Sequence, residues 1–235
     1  MTTRTAGDAF ASATAALVTQ TDTAGILANV LADTAEVLQA HSVGLLVYAP
    51  SRSQLELLSS TSHVAAELEL YQLQHDTGPC LEVLQSNQPV VVSLQSGMRD
   101  RWPPVGSAIA EAGFVAVHAY PLHWRGRTIG ALNVFFAQDL ADEVDPHGQM
   151  FADIATLVVT QQRELSEPAI SARIDEALRG RIVIEQAKGV IAYRESLSIA
   201  ESYVWLRSMA VDRGLTLSEA AQLVIDQAQG GHPTG

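Results

Sequence analysis

From Arg181 to Val224 the chain carries three consecutive stretches with the spacing of short amphipathic helices, each with its own start or stop signal. The first sets Ile184, Ala187 and Ile191 at intervals of three and four, with Val183 and Val190 beside them. Ser198 announces the second: Glu201 follows at the spacing where hydroxyl and carboxylate cap each other's backbone N–H groups. Ile199, Tyr203, Leu206 and Ala210 then share a face, and Gly214 ends the run, since glycine tolerates the positive φ of a helix end. Thr216 with Glu219 repeats the cap, and Leu217, Ala220, Ala221, Val224 and Ala228 form the third stripe. No two of these helices alone bury their apolar faces, so an all-α three-helix bundle is expected over residues 181–230.

Upstream the period changes. Residues 8–20 and 23–39 read as helices, the second with Asp22 or Thr23 as its cap. Val43 to Ala49 and Leu55 to Ser60 read as a hairpin around Pro50-Ser51-Arg52-Ser53. A helix follows over Val64 to Leu73, then a short one opened by Pro79. Val90-Val91-Val92 is a strand, and the stretch from Arg99 to Pro104 reads as a loop, because paired prolines forbid a continuing helix. Val105 to Ala112 is helical, Phe114 to Leu122 and Thr128 to Phe136 are strands, and a last helix spans Pro146 to Leu165. Helices around a five- or six-stranded, largely antiparallel sheet make an α+β domain over residues 1–166. Residues 167–180 read as a helical linker and 231–235 as a disordered tail.

Composition narrows the function. Hydrophobic residues make up 47% of 235, ample for packed cores, while the longest apolar runs fall far short of a membrane span. The weak N-terminal likeness to a signal peptide is interrupted by Asp8, so a cytoplasmic location is expected. Residues 1–169 carry 7 Arg against 18 Asp or Glu, net −11; residues 170–235 carry 7 Arg or Lys against 8 acids, net −1. Nucleic-acid binding by either part would depend on local clustering of its cations, not on bulk charge. The single cysteine, Cys80, rules out an intramolecular disulfide and a multi-cysteine metal site.

Two resemblances sharpen the picture. Ala187-Lys188-Gly189-Val190 ahead of Arg194, the block of Tyr203, Leu206, Arg207 and Ala210, and the closing Ala220-Ala221 resemble an ANTAR domain, the small RNA-binding module of bacterial transcription antiterminators. Where that family usually has alanine before the aromatic residue, this chain has Ser202. Gly78-Pro79-Cys80-Leu81, Arg101-Trp102-Pro103, Tyr120-Pro121-Leu122 and Ile129-Gly130-Ala131-Leu132-Asn133 together resemble a GAF domain, of the kind that precedes ANTAR in actinobacterial regulators. The pairing implies a sensor domain governing RNA binding, with RNA stem-loops in a nascent transcript as partner. Lys188, Arg194, Tyr203 and Arg207 are the expected RNA contacts: arginine forks meet phosphate or guanine, and a tyrosine ring stacks on an unpaired base.

In the sensor, Cys80, Trp102, Phe114, His118 and Tyr120 are the candidates for a ligand site, with Cys80 at a helix start where the dipole would lower its thiol pKa. A small buried hydrophobe is the competing reading of Cys80. One cysteine cannot resolve its own sulfenic acid, which disfavours a methionine sulfoxide reductase. Cyclic GMP is disfavoured too: GAF domains that bind cyclic nucleotides carry Asn-Lys and a Phe shortly ahead of Asp-Glu, whereas here Val134 follows Asn133 and Gln138 stands four residues ahead of Asp142. His118 and His123 point to opposite strand faces and cannot chelate together. No catalytic pair, no metal site and no identifiable cofactor emerge, so a non-enzymatic regulator is expected. The apolar stripe Phe151, Ile154, Val158, Ile170, Ile174 and Leu178 predicts a homodimer seam, unless it folds back on the sheet. The alternative function is a ligand or redox sensor acting through protein partners without RNA.

Overall fold

The computed structural model describes residues 5–19, 22–93, 95–138, 144–160 and 167–230. Helices α1 (Ala6–Thr19) and α2 (Thr23–Val37) lead into β1 (Ser42–Ala49) and β2 (Gln54–Ser60). Next come α3 (His63–His75), α4 (Pro79–Ser86), β3 (Val90–Ser93), α5 (Gln95–Arg101) and α6 (Pro103–Glu111). Strands β4 (Ala116–Trp124) and β5 (Arg127–Phe136) precede α7 (Pro146–Thr160), α8 (Glu167–Glu195), α9 (Ile199–Arg213) and α10 (Leu217–Gly230). The expected end of the last sensor helix at Leu165, the residue Ser166 and the tail 231–235 lie outside the described residues.

The five strands form one sheet in the order β2-β1-β5-β4-β3, antiparallel at every step. Strand alternation sends two residue sets to two cores. Val43, Leu45, Val47, Tyr120, Leu122, Leu132, Val134 and Phe136 pack against α2, α7 and the first half of α8. Leu46, Leu57, Val117, Ala119, Ala131 and Phe135 face Leu68 of α3, Cys80 and Val83 of α4, Met98 of α5, Val105 and Ile109 of α6, and Trp102 between those two helices. Among the helix residues over the first core, Gly148 of α7 is required by contact: a Cβ there would lie 2.1 Å from the Tyr120 ring. Gly148→Ala is therefore expected to lower stability by about 1–3 kcal/mol in thermal or urea unfolding, the cost of overpacking a filled core.

The loop expected over Arg99 to Pro104 is instead a break of one residue, Trp102, between two helices. Pro103 and Pro104 occupy the first turn of α6, where no intrahelical N–H is needed, so they start a helix as well as stopping one. A second difference is larger. α8 runs unbroken for 29 residues through the expected linker and the first bundle helix, with Pro168 in its opening turn. At 1.5 Å per residue it is a rod roughly 43 Å long. Its first half lends Ile174, Ala177 and Leu178 to the sheet core, and its second half lends Ile184, Ala187 and Ile191 to the bundle core.

That arrangement removes the reason given for a dimer seam. Phe151, Ile154, Val158, Ile174 and Leu178 are all at most 6% exposed within one chain, so the stripe folds back on the sheet. The side chain of Ile170 is outside the described set. Any second copy would have to meet other surface.

Candidate RNA interface and sensor interior

The bundle is built by local capping. Ser198 and Glu201 form the reciprocal capping box at the start of α9, and Gly214 at φ 64° closes it. Thr216 and Glu219 exchange the equivalent bonds ahead of α10. Ala187, Ala220 and Ala221 are fully buried, so α8 and α10 approach closely, with Leu206 and Ala210 of α9 completing the core. Ser202 is also fully buried, and its hydroxyl donates to the Ser198 carbonyl at 2.8 Å. A serine in place of alanine thus adds no unpaired polar group.

The four expected RNA residues separate. Lys188 lies on the same stripe as Ile184 and Ile191, is 4% exposed, and donates to both Glu185 oxygens at 2.7 and 2.9 Å. It lines a crevice of about 20 Å³ with Ala24 and Ala28 of α2, Leu58 of β2, Arg181 and Tyr203. That is about one water's worth of space, so the fit is close. Tyr203 is half-buried, its hydroxyl 3.5 Å from Asn29 Oδ1. Burial pushes its pKa up to about 12 against the opposing Arg207 charge, with a smaller upward push from Asp33. Arg207 is exposed beside a groove lined by Asn29, Val30 and Asp33 of α2 and Ala13 of α1. So Lys188, Tyr203 and Arg207 all border the sensor helix α2. Arg194 is elsewhere, exposed at the end of α8 and donating to the Gln227 carbonyl at 3.3 Å.

Asp22 fastens this contact. Its carboxylate accepts from the Gly25 N–H at 3.1 Å, capping α2, and from the Ser218 N–H at 3.0 Å and hydroxyl at 2.7 Å, capping α10. One side chain serves two helix N-termini, where partial positive charge favours an anion. Beside it Gly180 meets Ala24 so closely that a Cβ on the glycine would come within 2.6 Å of the alanine methyl. Arg181 Nη1 donates to the Leu57 carbonyl at 3.1 Å, and Ser51 donates to Asp175 at 3.1 Å. The sequence signal for Asp22 was the α2 cap alone.

In the sensor, the five expected ligand residues fall on both sides of the sheet. Cys80, Trp102 and Phe114 belong to the core under α3 to α6. Tyr120 belongs to the core under α7, and His118 shares that strand face, with ring contacts to Phe136 and Tyr120 at 4.8 and 6.3 Å. They do not converge on one cavity. Trp102 Nε1 donates to Glu82 at 2.9 Å; the Arg101 guanidinium bound to the same carboxylate holds the Glu82 pKa down. Cys80 is fully buried, and burial, then the neighbouring Glu69, pushes its thiol pKa well up, the reverse of a dipole-activated thiol.

Sequence reasoning missed the group at the centre of that second core. Glu69 of α3 is fully buried; its two oxygens each accept from Asn133 Nδ2 at 2.9 Å, and Oε2 accepts from Gln72 Nε2. Gln72 Oε1 in turn accepts from the Cys80 N–H at 3.1 Å, and Asn133 Oδ1 is buried with no partner among the described residues. Gly44 on β1 makes room, since any side chain there would collide with the Glu69 carboxyl. Burial outweighs the two amide donors and raises the Glu69 pKa to about 8. The readable signal was Glu69 and Gln72 in register with Ala65 and Leu68, a polar pair on a helix's inner face.

Among the described residues no group of three or more His, Cys, Asp or Glu is placed to hold a metal ion. No described helix is long and apolar enough to cross a membrane. The structure resembles the GAF domain of an Acinetobacter phosphoenolpyruvate-protein phosphotransferase at 14% identity and a TM-score of 0.47, covering 72% of this chain and 92% of that one. It also resembles the free methionine-R-sulfoxide reductase of Neisseria meningitidis at 16% identity and a TM-score of 0.45, covering 74% and 90%. These likenesses are too distant to bear on function, and no curated protein matches the sequence. The family models are specific: GAF domain matches residues 22–159 and ANTAR domain matches residues 172–230, the latter beginning inside α8. The chain belongs to the GAF domain family and is a two-domain regulator in which an ANTAR domain follows the GAF sensor.

Proposed function

We propose that this protein is a signal-responsive transcription antiterminator whose ANTAR bundle binds paired RNA hairpins after leaving the face of the GAF domain. The observation that carries this reading is the position of Lys188, at 4% exposure between α8 and α2, in the motif expected to touch RNA. A lysine bound to Glu185 and covered by α2 has no route to phosphate until the helices part. RNA contact through Lys188 and Tyr203 is therefore coupled to undocking, and a signal that favours the undocked arrangement raises RNA affinity by population shift. In this reading the protein works in the cytoplasm, on nascent transcripts, with no catalytic step.

Pairing of two bundles on two hairpins would use the outward faces of α8 and α9. Ile182 at 52%, Tyr193 at 89%, Val204 at 63% and Val211 at 75% exposure supply apolar surface there. The same surface favours the second reading, a sensor acting through a protein partner, and the two are separated by one measurement. Filter binding should show this protein preferring a tandem-hairpin RNA over a scrambled one, with affinity falling steeply with salt. Arg207→Ala should weaken binding by about 1–3 kcal/mol, by analogy with duplex base readout, and leave the melting temperature nearly unchanged, since Arg207 is exposed. Equal affinity for the two RNAs would favour the protein-partner reading.

A further inference from the structure

We infer that α8 breaks between Leu178 and Val183 when the bundle leaves the sensor, with Gly180 as the hinge. The inference rests on the undocking proposed above and supplies the movement that undocking needs. α8 is one unbroken helix from Glu167 to Glu195. Upstream, Ile174, Ala177 and Leu178 are buried in the sheet core at 1, 1 and 6% exposure. Downstream, Val183, Ile184, Ala187 and Ile191 pack in the bundle core. While α8 is whole it ties both halves together and holds Lys188 against α2. Lifting it as one rod would strip Ile174, Ala177 and Leu178 from the sheet. Arg179, Gly180, Arg181 and Ile182 belong to neither core, so a break among them frees the bundle and leaves the sheet core covered.

The local chemistry favours a break at this point. Glycine has the lowest helix propensity of any residue except proline, because it gives up the most backbone freedom. In the docked arrangement contact requires it: a Cβ on Gly180 would come within 2.6 Å of the Ala24 Cβ and 3.2 Å of Ser218 Oγ. The residue that lets α2 and α10 close on α8 is therefore also the one that regains most freedom when α8 unwinds. Arg181 adds to the cost of the closed form. Its Nη1 donates to the Leu57 carbonyl at 3.1 Å, but its Nε is buried with no partner among the described residues. Opening returns that N–H to water.

The sensor grips α8 on both sides of the glycine. Ser51, in the β1–β2 turn, donates to Asp175 ahead of it, and the Leu57 carbonyl of β2 holds Arg181 just beyond it. A movement of this hairpin bears directly on the hinge, which gives a sensor signal a route to α8 that bypasses the bundle.

The test is acylation of Lys188, the single lysine, in the whole protein without RNA, with reclosing faster than the reagent so that the rate reports the open fraction. Ile182 is 52% exposed and outside both cores, so Ile182→Gly and Ile182→Ala differ chiefly in helix propensity. Acylation is expected to be about 5-fold faster in Ile182→Gly than in Ile182→Ala, the ratio set by that propensity gap. The same pair at Gln186, exposed on the bundle half of α8, should acylate at equal rates, because that half stays helical on opening. Equal rates in the two Ile182 variants would overturn the hinge and leave undocking by a rigid α8 in place. Faster acylation in Gln186→Gly than in Gln186→Ala would also overturn it, since Lys188 would then be reached by fraying of its own helix. Acylation of the native protein no faster than its global unfolding would remove the undocking and the hinge together. Because no RNA is present, failure of the RNA reading changes none of these outcomes.

Discussion

This protein is expected to lose stability between about pH 5 and pH 8, and Glu69→Gln is expected to abolish most of that loss. The carboxyl is fully buried, and its folded-state pKa of about 8 compares with 4.5 for the free group. Below pH 4.5 both states hold the proton and the contribution to stability is complete. As the pH rises, the unfolded chain releases the proton while the folded one keeps it, so stability falls until the folded group also titrates near pH 8. The span corresponds to something on the order of 3–5 kcal/mol, a large share of an ordinary domain's stability. The neutral acid also suits its surroundings: a half-turn of the Asn133 amide puts Oδ1, which has no partner among the described residues, where Nδ2 now stands, ready to accept the acid's O–H. Gln at position 69 keeps the shape and cannot ionise. Urea unfolding of both proteins from pH 5 to 9 should give a falling curve for the native protein and a flatter one for the variant. Parallel curves would show that Glu69 is ionised in the folded state already.

How much of this was legible depended on how local the signal was. The caps of α9 and α10 depend on residues three apart, and Ser198 with Glu201 and Thr216 with Glu219 read correctly. The bundle core at Ile184, Ala187, Ile191, Leu206 and Ala210 followed from period alone. Pro103-Pro104 misled because proline marks a helix start as readily as a stop, and only the preceding residues' packing decides. The stripe through Ile174 and Leu178 announced burial without naming the partner; a sheet face of the same chain satisfied it before a second chain was needed. Period two put His118 and Tyr120 on one strand face, but nothing along a single strand says which layer of helices covers that face. Lys188 is the instructive case. Its spacing from Ile184 and Ile191 places it on the buried stripe, and its charge drew attention away from that. The contact between Asp22 and Ser218 joins residues at opposite ends of the chain and had no sequence signal at all.

Asp22→Ala is expected to raise RNA affinity, and to do so by freeing Lys188. The substitution removes the acceptor shared by Gly25 N–H, Ser218 N–H and Ser218 Oγ, leaving the start of α10 without its link to α2. Hydrogen bonds to a charged acceptor contribute roughly 1.5–3 kcal/mol each, and the lost α2 cap takes about 1 kcal/mol from the sensor alone. If the docked arrangement loses about 2 kcal/mol relative to the open one, the apparent RNA dissociation constant falls by roughly 30-fold while docking still predominates. Ser218→Ala, which removes one of the three donors to Asp22, should give a smaller gain in the same direction. The chain offers a direct check on opening, because Lys188 is its single lysine. Amine acylation followed by peptide mass analysis reports its accessibility without interference from other side chains. Faster acylation with tighter RNA binding is the expected pair of results for Asp22→Ala. Acylation at the native rate would mean that the carboxylate does not hold the bundle down. Faster acylation with unchanged RNA affinity would keep the clip and discard Lys188 as an RNA contact, which turns the two halves of the proposal into separately measurable quantities.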